Sequence, residues 1–173
     1  GSTTSDAGIA SGGWDNVFGS GTTDGFIVKF NTSGARIWAT YYGGTNGDEI
    51  ADITTNASGD IYFAGTTGST ASISTPGSFQ PVRSELLDGF LVKFNSAGSR
   101  IWGTYYGGEL DEKDIDFHPY NGANKFYIVG STQSLTQMST PTSLQPVKQV
   151  FDLVNNTQQS AYSIFIAHFE FRN

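Results

Sequence analysis

The sequence predicts an all-β fold of repeated four-stranded sheets, and three observations predict it. The first is internal repetition. Asp24 to Gly44 (DGFIVKFNTSGARIWATYYGG) returns as Asp88 to Gly108 (DGFLVKFNSAGSRIWGTYYGG), with 16 of 21 positions identical at an offset of 64. A fixed period of this size marks one structural unit copied along the chain, each copy burying an apolar face on its neighbour. The second is composition: 22 glycines, 14% aromatic and only 14% charged residues suit short strands joined by tight turns. The third is periodicity, since no window carries the i, i+3, i+4, i+7 apolar spacing of a helix.

The elements follow in order. Gly1-Ser2-Thr3 lies in register with Gly65-Thr66-Thr67 and resembles Gly130-Ser131-Thr132, so the chain is expected to begin inside a unit, as a piece of a longer protein. Ile9 to Gly13 takes the place of Ile73 to Gly77. Phe26 to Phe30, aromatic and β-branched, is a strand closed by the turn residues Asn31-Thr32-Ser33-Gly34. Arg36 to Tyr42 completes a hairpin and stops at Gly43-Gly44. Ile50 to Thr55 and Ile61 to Thr66 form a second hairpin across Asn56 to Asp60, a run of residues that accept positive φ. Phe90 to Phe94 and Arg100 to Tyr106 repeat the first hairpin. Asp60 to Thr67 returns as Lys125 to Thr132 and Pro76 to Val82 as Pro141 to Val147, both at offset 65; Phe165 to Phe169 is a third copy of Phe90 to Phe94.

Both faces of these strands carry apolar residues. Phe26, Val28 and Phe30 oppose Ile27, while Ile37, Ala39 and Tyr41 oppose Trp38, Thr40 and Tyr42. A sheet covered on one side alone would alternate with polar residues; these sheets are covered on both. Repeated four-stranded sheets stacked face to face are the blades of a β-propeller. A linear β-solenoid, the rival, uses shorter rungs than 64 residues. The division expected is therefore residues 1–47 as outer strands of a preceding blade with a connecting loop, 48–108 as a complete blade with a long loop at 68–87, and 109–173 as a partial, divergent blade with a long loop at 133–162. In the complete blade Ile50 to Thr55 is expected innermost and Arg100 to Tyr106 at the rim. A ring needs four or more blades, so the remaining blades are expected from further sequence or another chain. The atypical last unit is expected to place Asn173 near a propeller end whose outer strand comes from elsewhere.

The pattern D-G-F-(I/L)-V-K-F-N…G-x-R-I-W-x-T-Y-Y-G-G…D-I-Y-x-x-G-(T/S)-T…(I/M)-S-T-P resembles the SBBP repeat, the seven-bladed β-propeller repeat of large secreted and surface proteins of Bacteroidetes. The resemblance runs from Gly1 to about Phe169. It implies a propeller fold and export, often by a route that uses a C-terminal secretion domain, and repeat-bearing, adhesin-like or gliding-associated surface proteins. It implies no particular chemistry.

The candidate sites are few. Asp52 and Asp116 coincide at offset 64 on the expected innermost strand, where a ring of carboxylates along a channel would offer oxygen ligands to Ca²⁺. The competing expectation is that each accepts a hydrogen bond from a neighbouring blade's backbone. Asp24 and Asp88, each before a glycine, are expected to fix turns by accepting backbone N–H bonds. The acidic run Glu109, Asp111, Glu112, Asp114, Asp116 lacks the glycine and closing glutamate of a calcium loop and is expected to be a solvated turn. His118 and His168 stand singly, and His168 replaces Lys29 and Lys93 of the repeat. Trp38, Trp102 and the pairs Tyr41-Tyr42 and Tyr105-Tyr106 could stack on sugars, but at repeated strand spacing are expected between blades.

Function classes narrow accordingly. A net charge of −7 and nine scattered basic residues argue against a nucleic-acid partner. No apolar stretch is long enough for a transmembrane segment, and the absence of cysteine removes disulfides and thiolate metal sites. No nucleophile elbow, HExxH or phosphate-cradling loop is present. The expectation is a non-catalytic structural or adhesive segment of an extracellular or outer-surface propeller, with a surface protein or a glycan as possible ligand. The alternative is a glycan-binding or accessory module of a secreted carbohydrate-active enzyme.

Overall fold

The computed structural model describes residues 1–119, 125–138 and 162–170. They hold ten strands and no helix: β1 (Ser2–Thr3), β2 (Asp24–Phe30), β3 (Arg36–Tyr42), β4 (Asp48–Thr55), β5 (Ile61–Thr67), β6 (Asp88–Phe94), β7 (Arg100–Tyr106), β8 (Glu112–Pro119), β9 (Lys125–Thr132) and β10 (Ser163–Glu170). Three antiparallel sheets result, ordered β1-β2-β3, β4-β5-β6-β7 and β10-β9-β8. The all-β, propeller-like stack of blades is present, and the central sheet has the strand order expected. Most of the long connection expected at 133–162, from 139 to 161, lies outside the described residues, as do 120–124 and 171–173.

Equivalent strands keep equivalent registers. Ser2 pairs with Gly25 and Thr3 with Asp24, as Thr66 pairs with Gly89 and Thr67 with Asp88. Ser163 stands opposite Thr132 in the same way. The first sheet therefore has a short third strand beyond the two outer strands expected. The hairpin turns repeat too. Asn31, Asn56 and Asn95 each use Oδ1 to accept the N–H groups two and four residues on, and Gly34, Gly59 and Gly98 follow at φ of 81°, 79° and 88°. An asparagine side chain that mimics a backbone turn, followed by a residue free to adopt positive φ, closes each hairpin. Gly65 is glycine for a different reason. β4 bulges between Ile50 and Asp52, and a Cβ on Gly65 would collide with the Glu49 carbonyl.

The central sheet is buried on both faces. Phe63, Phe90, Val92 and Phe94 pack towards the first sheet with Ile27, Trp38 and Tyr42. Tyr62, Ala64 and Leu91 point the other way, against Ile115, Phe117, Phe126, Ile128 and Phe165 of the third. Strand alternation sends neighbouring side chains to opposite faces, so each apolar residue of β5 and β6 serves one of two cores.

Loops lock the sheets in sequence. Tyr41 and Tyr105 donate from their hydroxyls to Ser5 and Ser69 carbonyls of their own blades, at 2.9 and 3.0 Å. Tyr42 and Tyr106 reach forward, to the carbonyls of Ile73 (2.6 Å) and Met138 (3.0 Å) in the next unit's loop. Arg36 and Arg100 fasten Gly8-Ile9 and Ser72-Ile73 alike. The loop at 68–87 covers the sheets unevenly. Ile73 is fully buried, Phe79 rests its exposed ring near Tyr106 and Phe169, and Val82 stays in solvent.

Candidate functional site

The most constructed polar feature lies where a sheet's first strand begins. Asp48 opens β4, and the Gly43-Gly44 stop before it turns the chain so that Gly44 N–H donates to Asp48 Oδ2 at 2.8 Å. Ser69 Oγ adds a bond to Oδ2 at 2.7 Å, and Thr67 Oγ1 donates to Oδ1. Ser69 N–H donates to Thr67 Oγ1, so the T-x-S turn at the end of β5 presents both hydroxyls. The next blade rebuilds the cradle around a glutamate. Glu112 accepts Thr132 Oγ1 at 2.6 Å and Ser134 Oγ at 2.7 Å on Oε1, and Gly108 N–H at 2.9 Å on Oε2. Asp48 is 1% exposed and Glu112 0%. Burial pushes both carboxyls above their ordinary values, and the donated hydrogen bonds oppose that push.

Beside each cradled acid stands a second. Asp24 and Asp88 open β2 and β6, buried like their neighbours. Asp24 Oδ2 accepts Gly19 N–H at 2.7 Å. Asp88 Oδ2 accepts Ser84 N–H at 3.0 Å and Gln80 Nε2 at 2.8 Å. The expected turn-fixing role is what these contacts perform. Their Oδ1 atoms are buried without a hydrogen-bond partner. Burial raises both carboxyls, Asp88 to about 6 with the charge of Glu112 adding to the effect.

Asp52 lies on β4 and Asp116 on β8, the innermost positions of their sheets. Asp52 Oδ2 accepts Phe117 N–H from the next blade at 2.8 Å, and its Oδ1 accepts Ile53 N–H at 2.7 Å. Asp116 is exposed. A calcium cage needs six to eight oxygens. Asp52 thus makes the bond to a neighbouring blade's backbone that was the competing expectation, and no group of three metal-ligating side chains occurs among the described residues. Asp52→Ala is expected to destabilise the junction by about 1.5–3 kcal/mol, as for a bond to a charged acceptor. The Phe117 amide should then exchange hydrogen faster, while Asp52→Asn keeps most of its protection.

Of the acidic run expected as a solvated turn, Asp114 and Asp116 are exposed, while Glu109, Asp111 and Glu112 are anchors. Glu112 sits in its cradle, and Asp111 accepts Leu87 N–H at 3.1 Å. Glu109 gathers the Leu135 and Thr136 amides and the Thr136 hydroxyl, which lower its carboxyl against the pull of burial. Trp38 and both tyrosine pairs are buried between sheets or under loops and are closed to sugars, while Trp102 is half-buried against the second core. The His168 ring lies 5.3 Å from that of Tyr127, tilted by 43°. On the loop side Asn46, Arg83, Leu86 and Asp111 line an open cleft of about 500 Å³. No helix among the described residues is long and apolar enough to cross a membrane.

Asp48 is not among the sequence candidates, and Glu112 enters them only as a member of the acidic run. The signal that marks them is the T-x-S triplet, present at Thr3/Ser5, Thr67/Ser69 and Thr132/Ser134. No protein-family model matches the chain, and no curated protein matches it.

Proposed function

We propose that the chain is a non-catalytic structural and interaction segment of a larger secreted or cell-surface bacterial β-propeller protein of the SBBP-repeat kind, serving adhesion or surface assembly. The remaining blades come from the same protein or from another chain. One observation supports this reading above the rest: the same repeat position is buried inside the stack and bare at its ends. Phe94 is 0% exposed and its counterpart Phe30 58%; Leu91 is 0% exposed and its counterpart Ile166 70%. Tyr62, fully buried, corresponds to the exposed Tyr127. Side chains built for burial at both outer faces call for a further sheet on each side. Between the first and central sheets a cleft of about 350 Å³ is lined by Val28, Lys29, Phe30, Ile53 and Ile61.

Sedimentation of the chain, alone and mixed with flanking repeat segments, tests the reading. Association is expected, and Phe30→Asp and Ile166→Asp should each reduce it at least tenfold while leaving the monomer folded. A chain that stays monomeric with every repeat segment, and is indifferent to both substitutions, would overturn it. Saturable binding on a glycan array would instead support the accessory-module reading, through residues other than Trp38 and the tyrosine pairs.

A further inference from the structure

Buried acids normally meet a counter-charge, because an isolated carboxylate in a desolvated site is costly. Asp88 and Glu112 meet none at ion-pair distance among the described residues. They converge on Gly107, whose missing Cβ would stand 2.7 Å from Asp88 Oδ1 and 2.5 Å from Glu112 Oε2. Both oxygens therefore face the same point beside the Gly107 Cα and lie no more than about 5 Å apart. Asp88 Oδ1 has no donor, and Glu112 Oε2 has one, the Gly108 amide, leaving a lone pair free. One unit earlier Asp24 Oδ1, also without a donor, and Asp48 Oδ2 each lie 2.7 Å from the same point on Gly43, but Asp48 Oδ2 is already occupied by Gly44 N–H and Ser69 Oγ.

We propose that Asp88 and Glu112 hold one shared proton in the folded protein, carried on Asp88 Oδ1 and directed at Glu112 Oε2. The site is a proton clasp between the strand that opens one blade and the hairpin of the blade before it. The proton supplies the missing donor and removes one of two adjacent negative charges. Two carboxyls that cannot both ionise at close range retain one proton well above the ordinary carboxylate range.

The surroundings are consistent. Facing Asp88 are Glu112 on β8, the Tyr105 phenol on β7 and Arg83 in the preceding loop, the one cation close enough to oppose the proton. Facing Glu112 are Glu109 and Tyr106; facing Asp24 are Asp48 and Asp15; facing Asp48 are Tyr42 and Tyr105. Apart from Arg83 these groups are neutral or negative near pH 6, and each negative one favours the protonated form. A group raised from 3.8 to about 6 keeps its proton in the folded state while the unfolded chain has lost it. Its stabilisation is complete below pH 4 and is lost as pH climbs to 6, on the order of a hundredfold in the unfolding equilibrium.

Two measurements test the clasp in the full chain. Carbon-13 NMR of the Asp88 and Glu112 side-chain carboxyls should show one titration near pH 6 in the wild type. Midpoints at or below the ordinary carboxylate values for both would overturn the proposal. Asp88→Asn supplies a permanent donor in place of the proton. It should be no more stable than wild type at pH 4 and gain tens-fold in its folding equilibrium at pH 7.5. An equal or weaker fold at pH 7.5 would overturn it, provided the variant's spectrum is native. If Ca²⁺ raises wild-type stability at pH 7.5 in a chelator-reversible way and the pH step is absent, the site holds a cation and the proton is wrong.

Discussion

Phe63→Ala is expected to cost about 3–5 kcal/mol in unfolding free energy, the range for removing a fully packed aromatic ring. Phe63 is 0% exposed at the junction of the first two sheets. Its ring lies 5.0 Å from Tyr42, 5.2 Å from Phe94 and 6.3 Å from Phe90, all near edge-on. Such pairs add to plain area burial, and the cavity would open where one blade meets the next. Chemical denaturation followed by near-ultraviolet circular dichroism reads the loss, because these aromatics share one asymmetric environment. Phe30→Ala is the control. At 58% exposure it should cost less than about 1 kcal/mol in the isolated chain, and much more wherever a further sheet covers it. Equal costs for the two would mean that Phe63 is not at a working interface.

The second large effect is expected at Asp48. Asp48→Ala strips the shared acceptor from Gly44 N–H, Thr67 Oγ1 and Ser69 Oγ, leaving buried donors unpaired. Each orphaned donor costs about 1–3 kcal/mol, partly relieved by rotation of the hydroxyls. A total of about 2–4 kcal/mol is expected. Asp48→Glu should recover most of it, since the following blade builds the same cradle around Glu112. Thermal unfolding of the three proteins is the check. A glutamate variant as weak as the alanine variant would mean that each cradle is fitted to one side-chain length.

Much of the architecture is legible in the residues. The turns at Asn31, Asn56 and Asn95 announce themselves, because an asparagine followed by glycine three positions later is local chemistry that needs no tertiary partner. The two-sided burial of β5 and β6 is equally local, written in Phe63, Phe90 and Val92 against Tyr62 and Leu91. What the sequence hides is contact between units. The residues leave Asp52 open between a channel ligand and an acceptor for a neighbouring blade, and only the fold shows which amide it meets, Phe117 N–H, 65 residues on. The cradled acids are hidden twice over. Their hydroxyl donors lie about twenty residues away, and the change from Asp48 to Glu112 breaks the identity that flags a repeat. Glu112 was further disguised by its acidic neighbours, which make a buried anchor look like part of a wet turn.

The forward reach of Tyr42 and Tyr106 has a consequence for how such a chain changes length. Each unit carries, in its last strand, the hook that seats the loop of its successor, and in its own loop the eye that receives its predecessor's hook. Gain or loss of one whole module leaves every hook facing an eye, so copy number can vary by duplication without retailoring a seam. An insertion or deletion of part of a module breaks that correspondence at two places at once.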